Sequence, residues 1–329
     1  MKAYLLRRFF YMVVLLLLVS VFAFIVIQLP PGDFLTQYVA RLENQMGASV
    51  DPAVVANLRQ SMGMNRSPVE QYFRWMGNMF RGDFGRSLEW NRPVGTLLLD
   101  RLPATLLLSL LTLLFTYLLA VPIGIYSARK QYSIRDYAFT FIGLIGLATP
   151  SFFLALVLMY YGSAWFDWSL GGLYSTEFLN TPMSWAKAWD LAKHLPLPVL
   201  VIGLQGTASV IRIMRSTLLD ELKRPYVVAA RARGLEENRM IYKYPVRIAL
   251  NPIVSSLGWV LPNVVSGMTV TGIVLNIPTI GTLLYNALLS QDMYLAGSSL
   301  MFLSFLTVVG MFLSDILLML VDPRIRLDQ

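Results

Sequence analysis

The sequence predicts an all-α integral membrane protein with six transmembrane helices and both termini in the cytoplasm. Three observations carry that expectation. Hydrophobic residues make up 56% of the 329 and charged ones only 14%, with a mean hydropathy of +0.58, whereas soluble domains carry roughly 25% charged residues. The charges are clustered, leaving uncharged windows that reach the about 20 residues a helix needs to cross a bilayer core of ~30 Å. The basic residues also alternate between loops. With the N-terminus inside, the cytoplasmic segments hold 17 Lys/Arg, against 2 (Lys187 and Lys193) in the two short external loops. That is the positive-inside bias, from which a long first loop is exempt.

The formal net charge of +8 would suggest a nucleic-acid partner in a soluble protein. Here the loop bias accounts for it, and no nucleic acid is expected. The chain has no cysteine, which removes disulfides, thiol nucleophiles and thiolate metal sites. His194 is the only histidine, and at a predicted water boundary it reads as an interfacial residue rather than a ligand.

Residues 1–29 form the N-terminal tail and first span. Phe9 to Leu29 is uncharged and follows Lys2, Arg7 and Arg8. Its apolar core exceeds that of a signal peptide and no A-x-A site follows, so a retained span is expected. Residues 30–102 form an extracytoplasmic domain. Pro30-Pro31-Gly32-Asp33 should stop the first helix, and Gly-rich turns such as Arg81 to Arg86 separate helix-like pieces. Trp75, Met76, Met79 and Phe80 have helical spacing, which suits either packing against the membrane portion or an aromatic ligand box.

Residues 103–329 supply five further spans. Pro103 is expected to open the second, since proline at a first helical position loses no hydrogen bond, and Ala104 to Ala128 is uncharged. The third runs from about Tyr137 to Gly162 and is interrupted at Thr149-Pro150-Ser151. A mid-membrane proline frees a backbone carbonyl, tolerable where neighbours supply partners; it is either a packing kink or a bend beside a pathway. Trp165, Trp168, Trp185 and Trp189 make an interfacial belt. The fourth span, Leu195 to Ile211, is short. A charged loop, 212–247, follows with nine Lys/Arg against four Asp/Glu. The fifth span covers about Leu250 to Asn276 and precedes a re-entrant or surface-lying stretch. The sixth, about Leu295 to Val321, ends before Asp322-Pro323-Arg324-Ile325-Arg326.

What is missing narrows the function. The acids nearest to membrane depth, Asp136 and Asp315, sit near predicted cytoplasmic ends, whereas proton- or voltage-driven machines need ionisable groups inside the bilayer. No Gly-Lys dipeptide occurs, which excludes a P-loop. No HExxH or Cys-based constellation supports an intramembrane enzyme. A pathway without its own energy source is a passive pore or borrows a motor, and the charged loop is where a motor would dock. Pro225 can start a helix there that Gly234 ends. Glu236 and Glu237 then favour a second short helix through Met240 and Ile241, ending near Pro245. Ala229 and Ala230 permit close approach of a partner, with Arg231 and Arg233 flanking it. The alternative is an ordinary positive-inside loop on lipid headgroups. Gln205, Asn263, Ser266, Thr269 and Thr271 are small or polar within spans, suited to a substrate path or to helix packing.

The order of residues sharpens this. Ala229-Ala230 followed by Gly234 resembles the "EAA" loop of ATP-binding-cassette importer permeases, and the chain is most similar to the dipeptide/oligopeptide permease family, first-permease branch. The resemblance rests on LLRR, PPGD, RGDFGRSL (Arg81–Leu88), RLPATLLLSL (Arg101–Leu110), TPSFFLAL (Thr149–Leu156), AARARGL (Ala229–Leu235), IPTIGTLLYNALLSQDMY (Ile277–Tyr294) and DPRIRLD (Asp322–Asp328). It implies the type I importer permease fold and a place in the bacterial inner membrane. It also implies a homologous second permease, two cytoplasmic ATPases and an extracytoplasmic substrate-binding protein. Tyr226, Ala229, Ala230, Arg231, Arg233, Gly234 and Leu235 would meet the ATPases. ATP and Mg would belong to those partners, leaving this chain without a cofactor and non-catalytic. Oligopeptides or dipeptides are the implied cargo, with oligosaccharide, nickel or glutathione as alternatives. A stand-alone channel or secondary carrier is the competing class. Val228 stands where the loop motif often has Glu, and Gly272 where many family members carry Glu.

Overall fold

The computed structural model describes residues 2–29, 34–47, 49–61, 65–87, 89–166 and 171–321. The expected helix stop at Pro30–Asp33, Trp168 of the belt and the segment from Asp322 onward lie outside these. In order the helices are α1 (Lys2–Gln28), α2 (Phe34–Met46), α3 (Pro52–Ser61), α4 (Pro68–Phe80), α5 (Val94–Arg129), α6 (Ile134–Ala148) and α7 (Ser151–Phe166). They continue with α8 (Trp185–His194), α9 (Pro196–Leu222), α10 (Pro225–Ala232), α11 (Glu237–Lys243), α12 (Pro245–Val274), α13 (Ile280–Leu289) and α14 (Met293–Val321). Among the described residues, five helical stretches are long and apolar enough to cross a bilayer, and the α6–α7 pair makes a sixth if counted as one span.

Two expectations need correction and a third is sharpened. α5 begins at Val94, so Pro103 lies inside the helix rather than opening it. At 36 residues, α5 is about 54 Å long at 1.5 Å per residue, well beyond a bilayer core. The third span is interrupted where the sequence expects, and the structure adds the angle: α6 and α7 are bent by 106° at Thr149–Pro150. Thr149 is extended (φ −94°, ψ 123°), as a residue before proline prefers, because the proline ring disfavours the helical region there. The fourth span does not stop at Ile211. α9 runs on to Leu222, and part of the charged loop is therefore its continuation.

The chain divides into two compact units. Of the described residues, the larger comprises 2–5, Ala104–Pro278 and 307–321. α9 is its central helix, packed along α12 and also against α6 and α7. Val201, Val210, Met214 and Leu218 of α9 are almost fully buried, as are Ile253, Val260 and Met268 of α12. α6 lies very close to α9 because Gly146 has no side chain. A Cβ there would come within 2.6 Å of Leu204 Cγ.

The smaller unit comprises Leu6–Pro103 and Thr279–Leu306. Here Trp75 and Met76 of the amphipathic α4 are buried against Phe24 of α1, and Tyr72 and Ser20 share a 2.8 Å hydrogen bond. Phe80 stays 77% exposed, so the aromatic grouping is a packing face and not a closed ligand box. Asp292, fully buried, caps α14 by accepting from Leu295 N (3.1 Å) and also accepts from Ser87 Oγ (2.6 Å).

Adding one methyl group tests the α6–α9 fit. Gly146→Ala should lower the unfolding midpoint of the purified protein, at a cost of about 1–3 kcal/mol for overpacking. Gly258→Ala, where a Cβ meets nothing within 4 Å, should leave the midpoint unchanged or slightly raised.

Candidate functional site

The charged loop folds into two short helices set between α9 and α12. Pro225 opens α10, and Arg224 before it is extended (φ −66°, ψ 146°). Val227 is fully buried and fixes the helix to the core, while Tyr226 and Val228 are 37% and 55% exposed. Ala229 is exposed and Ala230 half-buried. The helix ends at Gly234, whose φ of +76° is the left-handed conformation that glycine adopts without steric cost. Leu235 N donates to Ala230 O (3.4 Å) and Gly234 N to Arg231 O (3.0 Å), the paired bonds of a Schellman cap. α11 then buries Met240 and Ile241 and exposes Tyr242. Both short helices thus lie where the sequence expects them.

One ion pair and one hydrogen bond link the pieces of this corner. Arg231 is bidentate to Glu237 (Nε–Oε2 3.2 Å, Nη2–Oε1 2.8 Å), joining α10 to α11. Arg231 is therefore engaged within the loop rather than simply flanking a partner, and the hydrogen bonds it donates to the Glu237 carboxylate raise its already high pKa. Tyr226 Oη donates to Glu221 Oε2 (2.6 Å), tying α10 back to α9. Burial first, and then this carboxylate, push the Tyr226 phenol above its ordinary value.

Two further contacts fasten the corner to the α5–α6 turn, and the sequence did not announce them. Asp136, 2% exposed, accepts from Arg215 Nη2 of α9 (3.1 Å) and from Tyr132 N (3.0 Å). Arg129, the last residue of α5, donates to Asn238 of α11 (2.6 Å). These partners are far apart in the chain, and charge alone does not say which arginine an aspartate will meet.

The same unit contains a cavity of about 450 Å³ between α9 and α12. Its lining includes Ser151, Gln205, Ser209, Trp259, Asn263 and Ser266, and none of its twelve lining residues is charged. Three of the five path residues expected from the sequence (Gln205, Asn263 and Ser266) meet there. Thr271 lies behind the wall, fully buried, and its hydroxyl donates to Ser151 Oγ (3.0 Å). Thr269 is not among the lining residues; its hydroxyl donates to Val265 O of its own helix (3.4 Å). Gln205 Nε2 donates to Thr149 O (3.2 Å), a carbonyl released from the helical ladder by the break at Pro150.

Comparison with known proteins gives a consistent result. The family described as "Binding-protein-dependent transport system inner membrane component" matches residues 120–327. Its N-terminal companion, "Binding-prot-dependent transport system membrane comp, N-term", matches residues 1–109. The oligopeptide transport system permease protein AppB of Bacillus subtilis (strain 168) is 33% identical over 99% of this chain and 100% of the relative. The peptidoglycan transport system permease protein YejB of Agrobacterium fabrum is 29% identical over 100% of this chain and 99% of its own. A chain of the inward-facing MetNI methionine ABC transporter superposes with a TM-score of 0.53 at 17% identity, covering 69% of this chain and 96% of its own. That likeness shows a shared fold.

The two ion pairs should differ in weight. Asp136→Ala leaves the Arg215 guanidinium without its carboxylate in a largely buried setting, at a cost of about 1–3 kcal/mol, read as a lower unfolding midpoint. Arg231→Ala, at an exposed pair, should hardly move it.

Proposed function

This chain belongs to the family of binding-protein-dependent transport system inner membrane components, the permease subunits of ATP-binding-cassette importers, and we propose that it forms one half of an oligopeptide or dipeptide pathway. It is a multi-pass protein of the inner membrane. The other half is a homologous second permease. Two ATPases bind at the cytoplasmic face, hold the ATP and Mg and carry out all hydrolysis; this chain is their non-catalytic partner. An extracytoplasmic binding protein delivers the cargo, and both termini lie in the cytoplasm.

One observation carries the reading. The α10–α11 pair, with its exposed Tyr226, Ala229 and Leu235, is inserted in the chain between the helices that wall the cavity. A force on the pair reaches each wall through one short turn and then helix, which is how a borrowed motor would alternate the opening of a path. Small and aromatic side chains at an exposed corner suit a closely fitted protein partner, with α10 entering a cleft on the ATPase. The cargo assignment is supported by the relatives' names, oligopeptide for AppB and peptide for several others. It is also supported by a lining that offers amide and hydroxyl groups and one indole, partners for a peptide backbone of any sequence. Gln205, Asn263 and Ser266 are the groups that meet it.

The absence of native cysteine makes the orientation directly measurable. In intact cells, a membrane-impermeant maleimide should label Trp185→Cys, a position 94% exposed, but should label Leu235→Cys only after permeabilisation. The reverse pattern overturns the topology. For coupling, Gly234→Asp and Ala230→Arg should each cut uptake of radiolabelled trialanine at least tenfold and reduce ATPase co-purification, at normal membrane levels. Wild-type uptake and ATPase binding in both variants overturn the docking role. Uptake of labelled glutathione, nickel or an oligosaccharide in place of trialanine would reassign the cargo.

A further inference from the structure

The geometry points to Gln205 and Thr271 as positioning residues for transport: they clasp the break between α6 and α7, and this break is a hinge that moves when the cavity opens and closes. The inference rests on the cavity being the substrate path.

The break is fastened on each side of Pro150 by a different wall. On its α6 side, the Thr149 carbonyl accepts from Gln205 of α9 at 3.2 Å. On its α7 side, Ser151 Oγ accepts from Thr271 of α12 at 3.0 Å. Gln205 and Ser151 both line the cavity, so the clasp is part of its surface. Backbone groups in a membrane protein must find partners within the protein. At Thr149 the partner is a side chain on another helix, not the ladder.

The two helices of the bent pair are held by different partners. α6 is seated on α9 without slack, since a Cβ at Gly146 would fall 2.6 Å from Leu204 and one at Gly143 would fall 3.3 Å from Ala208. α6 therefore travels with α9. α7 packs against both α9 and α12, with Ala155 fully buried, and at the break the Ser151–Thr271 hydroxyl pair joins it to α12. Close packing resists displacement, whereas a single hydrogen bond between uncharged groups is exchanged at little net cost. When α10 and α11 shift the ends of α9 and α12 relative to each other, the Thr149–Ser151 break absorbs the difference. The extended backbone before the proline is suited to that task, because the Thr149 carbonyl has left the helical ladder while Thr149 N still anchors the end of α6 on Ile145 O (2.9 Å).

Locking the clasp tests this. Ser151→Cys with Thr271→Cys in the otherwise cysteine-free chain, assembled with its natural partners in membrane vesicles, gives a pair that an oxidant can join. Oxidation, verified by mass spectrometry, should cut uptake of radiolabelled trialanine at least tenfold, and dithiothreitol should restore it to within twofold of the unoxidised sample. A cross-linked complex that transports at the reduced rate overturns the hinge. A second readout is independent of cargo: labelling at position 266 in a background that adds Ser266→Cys, compared between nucleotide-free and vanadate-trapped complexes. The reduced complex should show a nucleotide-dependent labelling rate and the oxidised one none. If the response survives cross-linking, the hinge is wrong. If it behaves as expected but trialanine is not carried, only the cargo reading fails. Thr271→Ser should transport normally and Thr271→Val should lose severalfold in uptake at equal membrane level; equal uptake by both removes Thr271 from the mechanism.

Discussion

The close pairing of α9 with α12 is the constraint on which the larger unit depends. These helices supply most of its buried apolar core, they face each other across the cavity, and the chain between them is the α10–α11 corner. Nothing but helix and two short turns separates the corner from either wall. The other contacts elaborate this arrangement. Asp136–Arg215 and Arg129–Asn238 bring the α5–α6 turn to the corner, and Gly146 seats α6 on α9. An apolar core resists deformation because its packing is close, so a displacement at the corner is passed on rather than dissipated.

Much of this was legible in the sequence where the governing physics is local. Uncharged windows located the apolar helices, because the length of such a window is set by the hydrocarbon thickness. Pro225, Gly234 and Pro245 delimited the two short helices, because proline and glycine restrict or release one residue's backbone in a way that neighbours seldom override. Pro150 gave the position of the break. Its angle was beyond local reasoning: a proline removes a bond, and tertiary packing then decides how far the chain turns.

Errors arose where a boundary was inferred from polarity. Arg212 and Arg215 suggested that the fourth span had ended, yet helical hydrogen bonding continues for as long as the backbone permits, and α9 leaves the apolar zone without interruption. Pro103 suggested a start, yet α5 had begun at Val94 and accommodates the proline. The Asp136–Arg215 pair and the Thr271–Ser151 hydrogen bond were not legible at all. Each joins residues far apart in the chain, and their meeting is a product of the fold. Of the residues expected along a path, Gln205, Asn263 and Ser266 line one cavity because α9 and α12 turn one face each towards the same space; Thr269 satisfies its hydroxyl on its own helix instead.

The seat of Gly146 on Leu204 has a consequence for how the protein is made. The groove that receives α6 is a surface of α9, and α9 follows α6, α7 and the Trp-rich segment in the chain. At synthesis rates of about 5–20 residues per second it is completed some seconds later. During that interval the bent pair has neither its packing partner nor the Gln205 amide that satisfies Thr149. Assembly of this subunit therefore follows chain order, and the break acquires its final shape only once α9 has been made.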